Sequence, residues 1–271
     1  MTPPDLPRQG PALLLRALLH RPSRSERPAL LHRLMALDLA HVQRFCTALG
    51  FDRPDLPLSY AYLLAQRAQL AAMLAPGFAH RIAGLIHVSN RLQRLAALDD
   101  TQPLDLCTHG EDEPERADGA RFVSLHVTLQ QRGQVVLSCQ SRYLSRRGRR
   151  GERAPTSEPD TTMPQRAEWT LPLDAGRRYA ALSGDWNPIH LWGWSARLFG
   201  LRQPIIHGAH SMARAQAELE RLGGRPLQAL ALDFLRPVPL GSTVALHADP
   251  AVRRFELRVA GRRAVAGAWD D

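Results

Sequence analysis

The chain has 271 residues, 44% of them hydrophobic and 23% charged, a globular balance that excludes a disordered, collagen-like or membrane-embedded polypeptide. Its length suits two domains of roughly 100 to 130 residues better than one. The formal net charge is +9 and all 35 basic residues are arginine; the excess reads either as solvated surface or as attraction to a polyanion such as nucleic acid, an acidic carrier protein or a phosphorylated cofactor.

Residues 1–30 are rich in Pro and Arg and are expected to be in part disordered. Their apolar run "PALLLRALLH" is short, broken by Arg16 and followed by no small-residue cleavage site, so it does not read as a signal peptide. No stretch nears the ~18 unbroken apolar residues of a membrane-spanning helix; the cytoplasm is the expected compartment and no membrane partner is expected. Cys46, Cys107 and Cys139 are widely spaced and odd in number, which predicts reduced thiols rather than a disulfide framework or a zinc site.

Further along, "LDLAHVQRFCTALG" places Leu37, His41, Phe45 and Leu49 at helical spacing and stops at Gly50, a C-cap signal. "YAYLLAQRAQLAAML" is apolar nearly all round and predicts a buried helix over Tyr60 to Leu74. Strand-like runs "GLIHVSNRL", "PLDLCTH", "RFVSLHVTLQQ" and "QVVLSCQSRYL" follow, the last two joined in hairpin fashion at Arg132-Gly133. Residues 145–165 are an Arg/Pro/Ser-rich linker without interleaved aromatics, which argues for solvation over nucleic-acid binding. Beyond it the order recurs: the strand "AEWTLPL", a polar stretch, the helix "GAHSMARAQAELERL" ended by Gly223-Gly224, then four strand-like runs. The expected organisation is an extension over 1–30, a first domain over 31–144, the linker, and a second domain over 166–271. The expected class is α+β, each half a buried helix wrapped by a curled antiparallel sheet, the two sheets packed side by side.

The chemistry concentrates in "SGDWNPIH". On one helix, residues five apart point about 140° away from each other, and Pro188 disfavours helical dihedrals at Asn187. A bend at Gly184 and Asn187-Pro188 lets Asp185 and His190 converge on one water, from which the pair can take a proton and return one to another atom, as addition of water across a polarised double bond requires. Asn187 and Ser183 can hold the carboxylate or the water. Gly208 opens a helix, where its N–H is among the unpaired donors that stabilise a developing oxyanion. The plainer alternative is an Asx turn with a packed histidine.

The longer stretch "SGDWNPIHLWGWSARLFGLRQPIIHG", with the later "DFLRPVPLG", resembles the hydratase motif of the MaoC-like dehydratases, the family of the (R)-specific enoyl-CoA hydratases. The resemblance implies a double hot-dog fold, each half a long helix in a curled antiparallel sheet, with the first half a degenerate copy lacking D-x-N-P-x-H and free to hold an acyl chain along Tyr60 to Leu74. It further implies catalysis by Asp185 and His190 on a shared water, support from Asn187, and binding of the thioester carbonyl by the Gly208 amide. His207 belongs to the motif and is expected to fix the start of the helix. Many relatives continue after the histidine with Asp-Pro, whereas this chain has "LWGWSARLFG", placing Trp192 and Trp194 either in the acyl pocket or against the other half. The implied substrate is a trans-2-enoyl or (R)-3-hydroxyacyl thioester of coenzyme A or acyl carrier protein. No cofactor and no metal are expected: there is no Rossmann or P-loop glycine pattern, and the remaining histidines lack metal-ligand spacing. Nucleic acid is not an expected partner; a homodimer is compatible. The competing function is a non-catalytic hot-dog protein that binds acyl thioesters or regulates a partner.

Overall fold

A computed structural model describes residues 3–8, 10–23, 27, 29–52, 56–146 and 163–271. Most of the linker, with its arginine run, therefore lies outside the described residues. The chain divides into two compact units, one comprising 1–7, 15–37 and 64–162, the other 8–14, 38–63 and 163–271. The stretch 38–63, which the sequence places with the first domain, falls in the second unit. Within the N-terminal extension, Pro11–Leu19 forms helix α1 and Leu6 and Ala17 are buried.

In the first unit, strands β1 (Leu30–Leu34), β2 (Ile86–Arg94), β3 (Leu104–Asp112), β4 (Arg121–Gln131) and β5 (Gln134–Arg146) form an antiparallel array in the order β1-β3-β4-β5-β2. The β4–β5 connection is the expected hairpin. Arg132 and Gly133 both have positive φ, 50° and 80°, the backbone that a two-residue turn matching strand twist requires. Register shifts at 87/89, 121/122 and 129/130 bend the strands, as extra residues in a ladder do. The long helix α3 (Leu58–Leu74) is shared, its residues from 64 onward belonging to this unit. Met73 packs with Phe78, Val123, Leu125 and Tyr143.

This core is less apolar than its helix suggested. Gln69, 1% exposed, donates to Ser141 Oγ at 2.8 Å and accepts from Tyr143 Oη at 3.0 Å, while Asn90 reaches the same Ser141 oxygen at 2.7 Å. A buried amide needs such partners, so Gln69 fixes the facing of α3 on the sheet. The arginines here are also partly structural. Arg142 forks onto Glu113 and lies 3.8 Å over the Phe122 ring, and Arg33 forks onto Asp105. Such bidentate, stacked geometry is something lysine does not reproduce. Burial pushes the Cys139 thiol up to about 12, and no disulfide joins Cys46, Cys107 and Cys139.

In the second unit, β6 (Gln165–Thr170), β7 (Ala229–Phe234), β8 (Thr243–Asp249), β9 (Arg254–Val259) and β10 (Arg262–Asp270) pair antiparallel in the order β7-β10-β9-β8-β6. Helix α6 (Gly208–Gly223) ends on Gly224, whose φ of 69° closes a left-handed cap on the Glu220 carbonyl. Its buried face carries Ala209, Met212, Ala213, Ala217 and Leu219, mostly small side chains. Between β6 and α6 run α4 (Ala175–Ser183), a 3-10 turn over Pro188–His190, and α5 (Gly193–Leu198). Helix α2 (Leu39–Leu49) belongs here too. Arg214 and Arg221 of α6 donate to the Leu49 and Gly50 carbonyls at its C-terminus, each at 2.7 Å, where cations are favoured. No helix among the described residues is long and apolar enough to cross a membrane.

Candidate active site

Three linked turns convert the spacing of "SGDWNPIH" into a cluster. Helix α4 ends at Gly184, φ 79°, whose N–H returns to the Ala180 carbonyl at 2.8 Å. Ser183 Oγ donates to the Tyr179 carbonyl at 2.8 Å and accepts the Asp185 N–H at 3.2 Å. Asp185 Oδ1 accepts the Asn187 N–H at 3.2 Å, and Asn187 Oδ1 caps the Ile189 N–H. Pro188, with its preset φ and no N–H to satisfy, then opens the 3-10 turn that delivers His190. Asn187 thus supports the carboxylate through its backbone, while its side-chain oxygen is spent on the cap.

His190 is buried, and its Nδ1 donates to the Ile205 carbonyl at 2.8 Å. A carbonyl only accepts, so in the neutral ring the proton sits on Nδ1 and Nε2 keeps a free lone pair. Ile205 is itself held by an isolated bridge to Pro239, and the Ile206 N–H bonds the Val238 carbonyl. The Pro-Val-Pro turn after β7 therefore sets the height of His190. His207, 2% exposed, donates from Nε2 to the Asp185 carbonyl at 2.9 Å, and its ring stacks on that of His190 at 3.6 Å between centroids. A carboxylate oxygen of Asp185 and one nitrogen from each of His190 and His207 lie within 4.8 Å of one another. Burial holds His190 well below the ordinary imidazole range, with His207 adding to the effect and Asp185 opposing it. Burial likewise lowers His207 and His210 and raises Tyr179, so the three histidines sit neutral together.

Carboxylate and imidazole are groups that bind divalent metals, but the two imidazoles stack on one another, 3.6 Å between centroids and 29° between planes, and His207 Nε2 is already spent on the Asp185 carbonyl. The same arrangement suits a small polar molecule lying between Asp185 and His190 Nε2.

Gly208 begins α6 directly after His207, where first-turn amides lack intrahelical acceptors. A Cβ there would stand 2.7 Å from the Phe234 ring, so the glycine is required by β7. Trp192 is not drawn into the cluster: it is 43% exposed and stacked on Trp194 with rings 12° apart. Sequence reasoning passed over three residues. Ser195 Oγ donates to the Pro188 carbonyl at 2.7 Å, Arg177 donates to the Leu191 carbonyl at 3.0 Å, and Gly176 faces the His190 carbonyl so closely that a Cβ would lie 1.8 Å from it. None belongs to a pattern readable in one chain, because each requirement comes from a neighbour brought in by the turns.

Gly176 supplies a test of this packing. Gly→Ala inside a helix ordinarily stabilises by about 0.5–1 kcal/mol, yet Gly176→Ala is expected to destabilise by about 3 kcal/mol, because the His190 backbone must move. Gly193→Ala, where a Cβ meets nothing within 4 Å, is the control and should stay within about 0.5 kcal/mol of the native protein in urea melts.

Residues 154–251 match the MaoC like domain family. The 3-hydroxyacyl-thioester dehydratase X of Mycobacterium tuberculosis is 25% identical over 217 residues, 79% of this chain and 77% of that protein. The crystal structure of HtdX from the same organism superposes with a TM-score of 0.74 at 22% identity, covering 90% of this chain and 99% of that one. A MaoC-like dehydratase from Phytophthora capsici gives 0.65 at 17% identity, covering 91% and 96%. Residues 154–251 thus match a MaoC like domain, and in motif and double hot-dog fold the chain is similar to the MaoC-like dehydratases.

Proposed function

We propose that the chain is a hydro-lyase of fatty acyl metabolism that adds water reversibly to trans-2-enoyl thioesters, giving (R)-3-hydroxyacyl thioesters of coenzyme A or acyl carrier protein. The observation that carries the reading is the convergence of Asp185 with a neutral His190 whose Nε2 lone pair is free. A water held between them loses a proton to the pair as its oxygen bonds to the β-carbon, and the pair returns a proton to the α-carbon. The enolate oxygen that forms in between is met by the Gly208 N–H at the start of α6. Asn187 and Ser183 act by fixing the turn, and His207 by holding the Asp185 backbone and stacking on His190. The arginine-rich surface favours the phosphates of coenzyme A or an acidic carrier, and a cytoplasmic setting is consistent with either.

The test is loss of the conjugated thioester absorbance when the purified protein meets crotonyl-CoA and a longer trans-2-enoyl-CoA, followed by enoyl thioesters of acyl carrier protein. Turnover on any of them with an (R)-configured product is expected. No turnover on all of them, together with saturable binding of an acyl thioester, would replace the enzyme by a binding protein.

A further inference from the structure

The turn that carries Asp185 is clamped from two sides. On one side His207 Nε2 holds the Asp185 carbonyl at 2.9 Å. On the other, His41 Nε2 lies 2.8 Å from the Leu182 carbonyl, one of the last carbonyls of α4, which find no N–H donor within their own helix. His41 comes from far away in sequence, in the first turn of α2, where its N–H bonds Oδ1 of the N-cap Asp38 at 2.9 Å. Since Leu182 O only accepts, His41 must present Nε2–H and keep Nδ1 bare. Tyr60 Oη lies 2.9 Å from that Nδ1 and is the group positioned to donate to it. The Tyr60 ring is in turn set edge-on to Phe45 at 5.3 Å. Tyr60, His41 and Leu182 therefore form one directional chain of hydrogen bonds in the second unit, ending three residues before Asp185. The other end of α2 is tied to α6, the helix that begins at Gly208, by Arg214 and Arg221. Helix α2 thus braces both helices whose ends build the site.

Resting on the hydratase reading, we propose that His41 is a positioning residue for the reaction: its Nε2–H, polarised by Tyr60, holds the end of α4 at the height that keeps the Asp185 carboxylate beside His190. It touches neither water nor substrate, so its effect should fall on turnover rather than on substrate affinity. Outer partners that orient a reacting group are worth about 10–100-fold in comparable settings, and His41→Leu is expected to lower kcat by about that factor with KM changed less than about twofold. His41→Gln places an amide N–H near the former Nε2 and should recover kcat to within about threefold of native. Tyr60→Phe keeps the ring and removes the donor to Nδ1; it should cost about three- to tenfold.

The experiment measures kcat and KM of the native full-length chain and the three variants, each with a thermal melt, and records the imidazole nitrogen spectrum of the native protein to identify the His41 tautomer. A kcat loss in His41→Leu restored in His41→Gln, with an Nε2–H tautomer, is the expected result. Native kcat in His41→Leu, no recovery in His41→Gln, or a native Nδ1–H tautomer each overturns the assignment while the hydratase reading stands. If His41→Leu does not fold, His41→Gln, Tyr60→Phe and the tautomer decide. An inactive native protein that still shows the Nε2–H tautomer overturns the hydratase reading instead, and the positioning role with it.

Discussion

Asp185→Asn is expected to lower the rate of enoyl thioester hydration by about 10²- to 10⁴-fold, the range for loss of one member of an acid–base pair, while leaving the fold intact. The separation of the two effects follows from the turn. Asp185 Oδ1 serves structure by accepting the Asn187 N–H, and the amide oxygen of asparagine can accept the same bond. Its backbone carbonyl still receives His207 Nε2 and its N–H still reaches Ser183 Oγ. Removed are the charge and the proton-carrying oxygen. Because Asp185, together with the Ile205 carbonyl, favours protonation of His190 against burial, the variant also leaves His190 less able to hold a proton during turnover. The measurement is the decay of thioester absorbance on the substrate the native protein turns over fastest, with melting temperature as the check on folding. Activity within threefold of native in a folded Asp185→Asn protein would refute the site assignment.

What the sequence disclosed and what it withheld divide along a physical line. Strands were legible where one face is buried and the other wet, as in β8, whose burial alternates along Thr243–Asp249. The hairpin at Arg132-Gly133 and the stop of α6 at Gly223-Gly224 were legible because particular backbone conformations favour glycine. The short strand β1 was missed: its five residues are almost uniformly half-buried and carry no alternation. The amphipathic face of α2, with Val42, Phe45, Cys46 and Leu49 buried, predicts a helix that packs on something but does not say on what. Its place in the second unit depends on Arg214, Arg221 and Leu182 more than a hundred residues away in sequence. The same limit applies to the site. The bend between Asp185 and His190 follows from Asn187-Pro188, whereas Asn187's use as a cap, the stack of His207 on His190 and the closeness of Gly176 to the His190 carbonyl are properties of the folded turn.

Acid should unfold this protein earlier than its carboxylates alone dictate, because a cluster of neutral histidines is buried at the site. Unfolded histidine titrates near pH 6.5, whereas burial, with Arg214 nearby, holds His210 down at about 3, and burial lowers His190 and His207 in the same direction. A folded value below the unfolded one means that the unfolded chain binds the proton first. Stability is then fully present above about pH 6.5 and is lost as pH falls toward the folded value, each such group contributing up to about 1.4 kcal/mol per pH unit. His20, His32 and His126, lowered by partial burial, act in the same sense but more weakly. The carboxylates held down by arginine or hydroxyl partners, Asp105, Glu113, Glu115 and Asp99, exert their effect below their own unfolded range near pH 4. The interval from 6.5 to 4.5 therefore belongs to the histidines. His210 is the useful one to remove, since it stands edge-on to Tyr179 at 5.5 Å and a phenylalanine ring can keep that contact without titrating. Urea unfolding of native protein and His210→Phe at pH 7.5, 6.5, 5.5 and 4.5 should give a native stability that falls steeply over the lower half of that range. The variant's slope should be shallower by about one proton. Equal slopes would mean that His210 is protonated in the folded protein, which only a rearranged interior around Tyr179 and His207 would allow.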